Sequence, residues 1–203
     1  TFAAWAVGLA ACCAFGWGTN SGWLVGAALL QLWYLLDHVD GQLARYHGSA
    51  SLDGTQLDYL MHHAVSLLLP IGLGWGFAWS PRPEPMWLLC GLLLLGLLHD
   101  ARYKAFIKRL KRVRGELVLM GGGGARPTPA AGLPRHPALL LVYLARKSCE
   151  VHVVMNTLTA LAALEWIIGD TQLLLGRVYL AVLAALALLL FAASLVRSLQ
   201  RGQ

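Results

Sequence analysis

The stretch DHVDGQLARYHGSASLDGTQLDYLMHH, residues 37–63, decides how the whole chain is read. It carries Asp37, Asp40, Asp58, Arg45, Gly41, Gly54 and the pair His62-His63, and it joins two apolar runs. Asp37 and Asp40 are three residues apart and share a face of one helix; Asp58 and His62, four apart, share a face of the next. A short connection, 45–56, brings the two pairs to the same depth. Carboxylates at the edge of a hydrocarbon layer are costly and rarely persist without a role. The pattern therefore implies a metal and phosphate site at a membrane surface.

Outward from this stretch the chain is apolar. Of 203 residues 58% are hydrophobic and 13% charged, with a mean hydropathy of +0.60. Soluble domains carry about 25% charged residues, and a membrane-spanning helix needs about 20 mostly apolar ones. Six runs fit that description, at about 2–17, 23–40, 57–79, 86–103, 138–168 and 173–196. Pro81, Pro83 and Pro85 break the chain between the third and fourth. The fifth is interrupted early by Arg146, Lys147, Glu150 and His152, which sets its first half at or above the membrane surface. Gly121 to Gly124 and several prolines make 115–137 a mobile loop; no G-K-[ST] follows those glycines, so they do not form a nucleotide-phosphate loop. The expected fold is all-α: a polytopic membrane protein with six transmembrane helices in one bundle and a single domain, 1–203.

The net charge of +6 is informative through its distribution. The basic residues border the apolar runs and form no separate basic domain, which argues against nucleic-acid binding. With 37–63 at the cytoplasmic face, Arg45, Arg102 to Arg114, Arg126, Arg135, Arg146, Lys147, Arg197 and Arg201 fall inside, and only Arg82 and Arg177 lie near the other face. Trp17, Trp23, Trp75, Trp79, Trp87 and Trp166 then cluster at the outer ends as an interfacial belt. The localisation implied is a bacterial or archaeal cytoplasmic membrane. Cys12, Cys13, Cys90 and Cys149 lie in apolar runs without C-x-x-C spacing and read as small buried side chains. The chain begins at Thr1 inside an apolar run, which reads as a truncation, and no cleavable signal peptide is visible.

Oxygen ligands such as Asp37, Asp40 and Asp58 suit hard cations, Mg²⁺ or Mn²⁺, that also engage substrate phosphates. Gly41 and Ala44 leave space for a ligand or a neighbouring backbone, and Arg45 offers a fixed cation to a phosphate oxygen. For any one of these residues a helix cap or surface ion pair explains it equally well. For the whole set, at fixed offsets, that account is weak.

The pattern Asp37-x2-Asp40-Gly41-x2-Ala44-Arg45-x8-Gly54-x3-Asp58-x3-His62 resembles the D-x2-D-G-x2-A-R-x8-G-x3-D-x3-D signature of the CDP-alcohol phosphotransferase (phosphatidyltransferase) family. Every position matches except the last. The resemblance implies six membrane helices, a homodimer, and two divalent metals between the second and third helices. It also implies transfer of a phosphoalcohol group from a CDP-linked donor to a hydroxyl acceptor, with release of CMP. On that resemblance Asp37, Asp40 and Asp58 bind metal, Gly41, Ala44 and Gly54 make room for the cytidine nucleotide, and Arg45 helps to hold it.

The family's fourth aspartate, a metal ligand and the base for the acceptor hydroxyl, is His62 here. A neutral imidazole serves as ligand and as general base near neutral pH, but it removes a negative charge and shifts the preference from Mg²⁺ towards Mn²⁺ or Zn²⁺. The sequence leaves three outcomes open: His62 is the working base together with Asp58, His63 or another group substitutes, or activity has been lost. Arg102, Lys104, Arg146 and Lys147 form either a phosphate pocket or the ordinary inside-positive rim. The donor expected is CDP-diacylglycerol with a small polar alcohol as acceptor. The alternatives are a soluble CDP-alcohol passed to a lipid hydroxyl, or an inactive metal- and nucleotide-binding homologue. A transporter is a poorer reading, because the ionisable groups gather at one surface and not at the bilayer midplane.

Overall fold

The computed structural model of the chain describes residues 2–48, 52–79, 84–96, 137–169 and 172–201. Among the described residues the regular elements are seven helices: α1 (Phe2–Phe15), α2 (Asn20–Tyr46), α3 (Leu52–Ala78), α4 (Met86–Gly96), α5 (Pro137–Ser148), α6 (Val151–Ile168) and α7 (Leu174–Arg201). The expected loop 115–137 and its glycines lie outside the described residues, apart from Pro137, which opens α5.

Local chemistry sets the helix ends. Thr19 Oγ1 accepts a hydrogen bond from the Gly22 N–H at 3.1 Å and so caps α2. Gly18, at φ +65°, makes the turn before it and lies against the backbone of Gly76 in α3. Gly169, at φ 71°, closes α6 by donating its N–H to the Glu165 carbonyl. The polar interruption in the fifth apolar run is a true break: α5 stops at Ser148, Glu150 adopts an extended backbone, and α6 starts at Val151. At the central connection, by contrast, helix continues further than the sequence suggests. α2 runs on to Tyr46 and α3 begins at Leu52, so much of 45–56 is helical.

α1 packs on both α2 and α3, α2 also packs on α6, and α7 touches α3, α5 and α6. Small residues set the closest approach, as expected where no hydrophobic effect drives helices together. A Cβ on Gly72 or Gly76 of α3 would collide with the Cys12 and Phe15 carbonyls of α1. The core is aromatic: Phe15, Trp23, Trp33 and Phe77 are fully enclosed, with Trp23 5.3 Å from both Phe15 and Phe77. Trp23 is therefore an internal packing residue, whereas Trp17, Trp75, Trp79 and Trp166 are exposed in the manner of an interfacial belt.

Among the described residues three helical segments are long and apolar enough to cross a membrane: Leu57–Ala78, Val151–Ile168 and Leu174–Ala193. α1 and α4 are apolar but shorter. α7 turns Val178, Val182, Leu189, Leu195 and Val196 outward, and apolar surface on this scale suits lipid and not water. The protein is an all-α membrane protein.

Two ends can be told apart. Asn20 donates to the Glu165 carbonyl at 3.4 Å, and Gln31 donates to Asn156 and Thr159 at 3.2 and 2.9 Å, so α2 and α6 run antiparallel. One end gathers the turn at 16–19 and the junctions α3–α4 and α6–α7. The other gathers the end of α2, the start of α3 and the start of α6.

Candidate functional site

The second of these ends holds the chemistry. On α2, Trp33 and Asp37 are four residues apart and share a face. On α3, Asp58 and His62 stand in the same relation. Where the faces meet, His62 Nε2 lies 2.8 Å from Asp37 Oδ1 and 3.7 Å from Asp58 Oδ1. One ligand atom from each of the three residues falls within 4.8 Å of the others. Hard octahedral cations hold ligands at about 2.1 Å, so neighbouring ligand atoms stand about 3 Å apart and opposite ones about 4.2 Å. Two carboxylates and an imidazole at these separations fit one divalent cation. Without such a positive centre, two carboxylates brought this close repel each other.

Asp40 lies one turn beyond Asp37, near enough for its charge to act on Asp58. Its carboxylate is thus beside the three converging groups, although it is not one of them. Gly41 and Ala44 follow on α2 and are half-buried. Arg45 occupies the last turn of α2 and Gly54 the first turn of α3; their surroundings lie outside the described residues. His63 points elsewhere, stacked on Tyr59 with ring centroids 5.9 Å apart. His38 is exposed and its Nδ1 lies 2.9 Å from the Tyr34 carbonyl oxygen.

His62 has further support. Ser66 Oγ donates to the His62 carbonyl at 2.8 Å, and the buried Trp33 indole meets the imidazole with centroids 5.0 Å apart and planes at 62°. Sequence reasoning missed Trp33. Its four-residue offset from Asp37 was the available signal, but the same offset serves any core tryptophan.

The antiparallel register brings α6 to this level. Asp37 is six residues beyond Gln31, and six residues back from Asn156 is Glu150, each about 9 Å of helix rise. There Glu150 pairs with Lys147 at 2.8 Å and with His152 at 3.2 Å. The hydrogen bond from Lys147 holds its exposed ammonium above the ordinary lysine value. Of the four candidate phosphate cations, Lys147 therefore already has an anionic partner. Arg146 lies on α5 with its side chain outside the described residues, as are Arg102 and Lys104 altogether.

The sequence profile of the CDP-alcohol phosphatidyltransferase family matches residues 1–113, which include every residue of the convergent group. No curated protein matches the chain.

Proposed function

This chain belongs to the CDP-alcohol phosphatidyltransferase family, and on that premise we propose that it moves a phosphatidyl group from CDP-diacylglycerol to the hydroxyl of a polar alcohol, releasing CMP. Membership implies a transferase acting on a CDP-linked alcohol. The observation that carries the reading further is the meeting of Asp37, Asp58 and His62 within 4.8 Å across two helices.

A divalent cation, Mg²⁺ or Mn²⁺ with Zn²⁺ as the third candidate, would be held by Asp37, Asp58 and His62 with Asp40 alongside. When bound it supplies charge neutralisation for the pyrophosphate and its leaving group. Gly41, Ala44 and Gly54 leave room for the cytidine nucleotide, and Arg45 holds a phosphate oxygen. The acceptor oxygen attacks the β-phosphorus of the donor, and the bond from that phosphorus to the CMP oxygen breaks. The acceptor proton passes to the second oxygen of Asp58, since a neutral imidazole that holds the cation through its one lone pair has none left to accept it. CMP leaves, and the lipid product stays in the bilayer. The site faces the cytoplasm in this reading, because Arg45, Arg146 and Lys147 border the same end. A homodimer is expected from the family resemblance.

CMP release by the purified protein tests the proposal, with CDP-diacylglycerol, a panel of polar alcohols and each of the three metals. Asp40→Ala serves as the blank. Acceptor-dependent release that disappears in Asp40→Ala supports the transferase. Release only from soluble CDP-alcohols would reverse the donor and acceptor roles. CDP-lipid binding without release under any condition would leave a binding protein.

A further inference from the structure

We propose that Trp33 is a positioning residue that sets the plane of the His62 imidazole, an adaptation this site needs because its fourth ligand is a histidine; the inference rests on the metal-site reading above. An imidazole turns broadly about its second side-chain torsion, so one contact fixes a nitrogen without fixing the ring plane. Here there are two. Asp37 meets Nε2 at 2.8 Å, and one turn earlier on the same helix Trp33 meets the ring at 5.0 Å and 62°, within the range of edge-on aromatic pairs. α2 thus grips the imidazole at two levels.

The indole is itself fixed. It is 1% exposed. A Cβ on Gly8 of α1 would stand 3.1 Å from Trp33 Cδ1 and 2.7 Å from Val65 Cγ2 on α3, so three helices close around it. A ligand nitrogen has a single lone pair that must aim at the cation, and ring orientation decides whether it does. A carboxylate presents two equivalent oxygens and offers no ring edge for an indole to hold. Trp33 is therefore coupled to His62 in particular, and not to the site at large.

The test is Mn²⁺ binding, followed by electron paramagnetic resonance on the full chain without donor or acceptor. It compares Trp33→Leu, Trp33→Phe and Gly8→Ala, each with His62 and again with His62→Asp. Groups that orient metal ligands are worth about tenfold to a hundredfold in affinity. Trp33→Leu should weaken Mn²⁺ binding by about tenfold with His62 and by less than about twofold with His62→Asp. Trp33→Phe, which keeps a ring edge, should recover most of the loss. Gly8→Ala leaves the indole in place but crowds it, and should reproduce the histidine-specific weakening even if Trp33→Leu does not fold. Equal losses in both backgrounds would show Trp33 to be structural only, and no loss with His62, or no Mn²⁺ binding by the unmodified chain, would also overturn the proposal. Histidine-specific coupling in a chain that releases no CMP would leave the positioning role standing and remove the transferase.

Discussion

His62 approaches Asp37 more closely than Asp58, at 2.8 against 3.7 Å, although Asp58 lies on its own helix. The imidazole is therefore aimed across the helix pair and not along α3. Removing it as His62→Ala should weaken divalent-metal binding by at least about tenfold and lower CMP release with it. His62→Asp should also fall below the unmodified chain, because the shorter side chain withdraws the ligand atom from its place 2.8 Å from Asp37 across the helix pair. A rise above it, in the same CMP assay, would mark His62 as a defect. The convergent residues were legible in the sequence because their spacing is chemical: Asp37, Asp58 and His62 fall at helical offsets within one longer motif. Trp33 was not legible, since nothing in the sequence separates a tryptophan beside a ligand from the buried Trp23 ten residues earlier.

α1 and α3 touch backbone to backbone, and this contact seats both Gly8 against Trp33 and Val65 beside the site. Gly76→Ala places a methyl group on the Phe15 carbonyl, which cannot turn aside as a side chain would. It should destabilise by about 1–3 kcal/mol, the usual cost of overpacking, read as a lower thermal midpoint in detergent. Gly96→Ala, on the open end of α4, meets nothing within 4 Å and should leave the midpoint unchanged. At the same end as Gly76, Arg177 of α7 donates to Glu84 at 2.9 Å and to the Phe77 carbonyl at 3.5 Å, and Trp87 donates to the same carboxylate at 2.6 Å. Arg177 is nearly enclosed, whereas Glu84 is 45% exposed. Glu84→Ala strands a buried guanidinium and should cost more than Arg177→Met, which replaces the cation with an apolar chain of similar length. The midpoints of the two variants decide it, and a smaller loss in Glu84→Ala would mean the exposed carboxylate contributes little. The sequence placed Arg177 near the outer face but gave no sign of this pairing, because the partners are 93 residues apart.

All of the convergent chemistry sits at one end of the bundle, and the ends differ in kind. The end with the turn at 16–19 and the junctions after α3 and α6 carries the exposed Trp17, Trp79 and Trp166. The other carries Asp37, Asp58, His62, Glu150 and Lys147. This polarity was readable from basic residues and tryptophans alone, since both respond to the membrane surface over a whole helix and tolerate errors of a few residues. The break between α5 and α6 also had a signal, in the charges around Glu150. The charge rule predicts which end faces the cytoplasm, and the prediction can be measured directly. In a chain with Cys12, Cys13, Cys90 and Cys149 replaced, single cysteines at His47→Cys and His152→Cys should resist a membrane-impermeant maleimide in intact cells and react once the membrane is opened. Trp79→Cys should react in intact cells. If positions 47 and 152 differ from each other, the antiparallel register that brings α6 to the level of Asp37 is wrong. If all three reverse together, the register holds but the site faces outward, away from any cytoplasmic supply of a CDP-linked donor, and the transferase proposal loses its substrate.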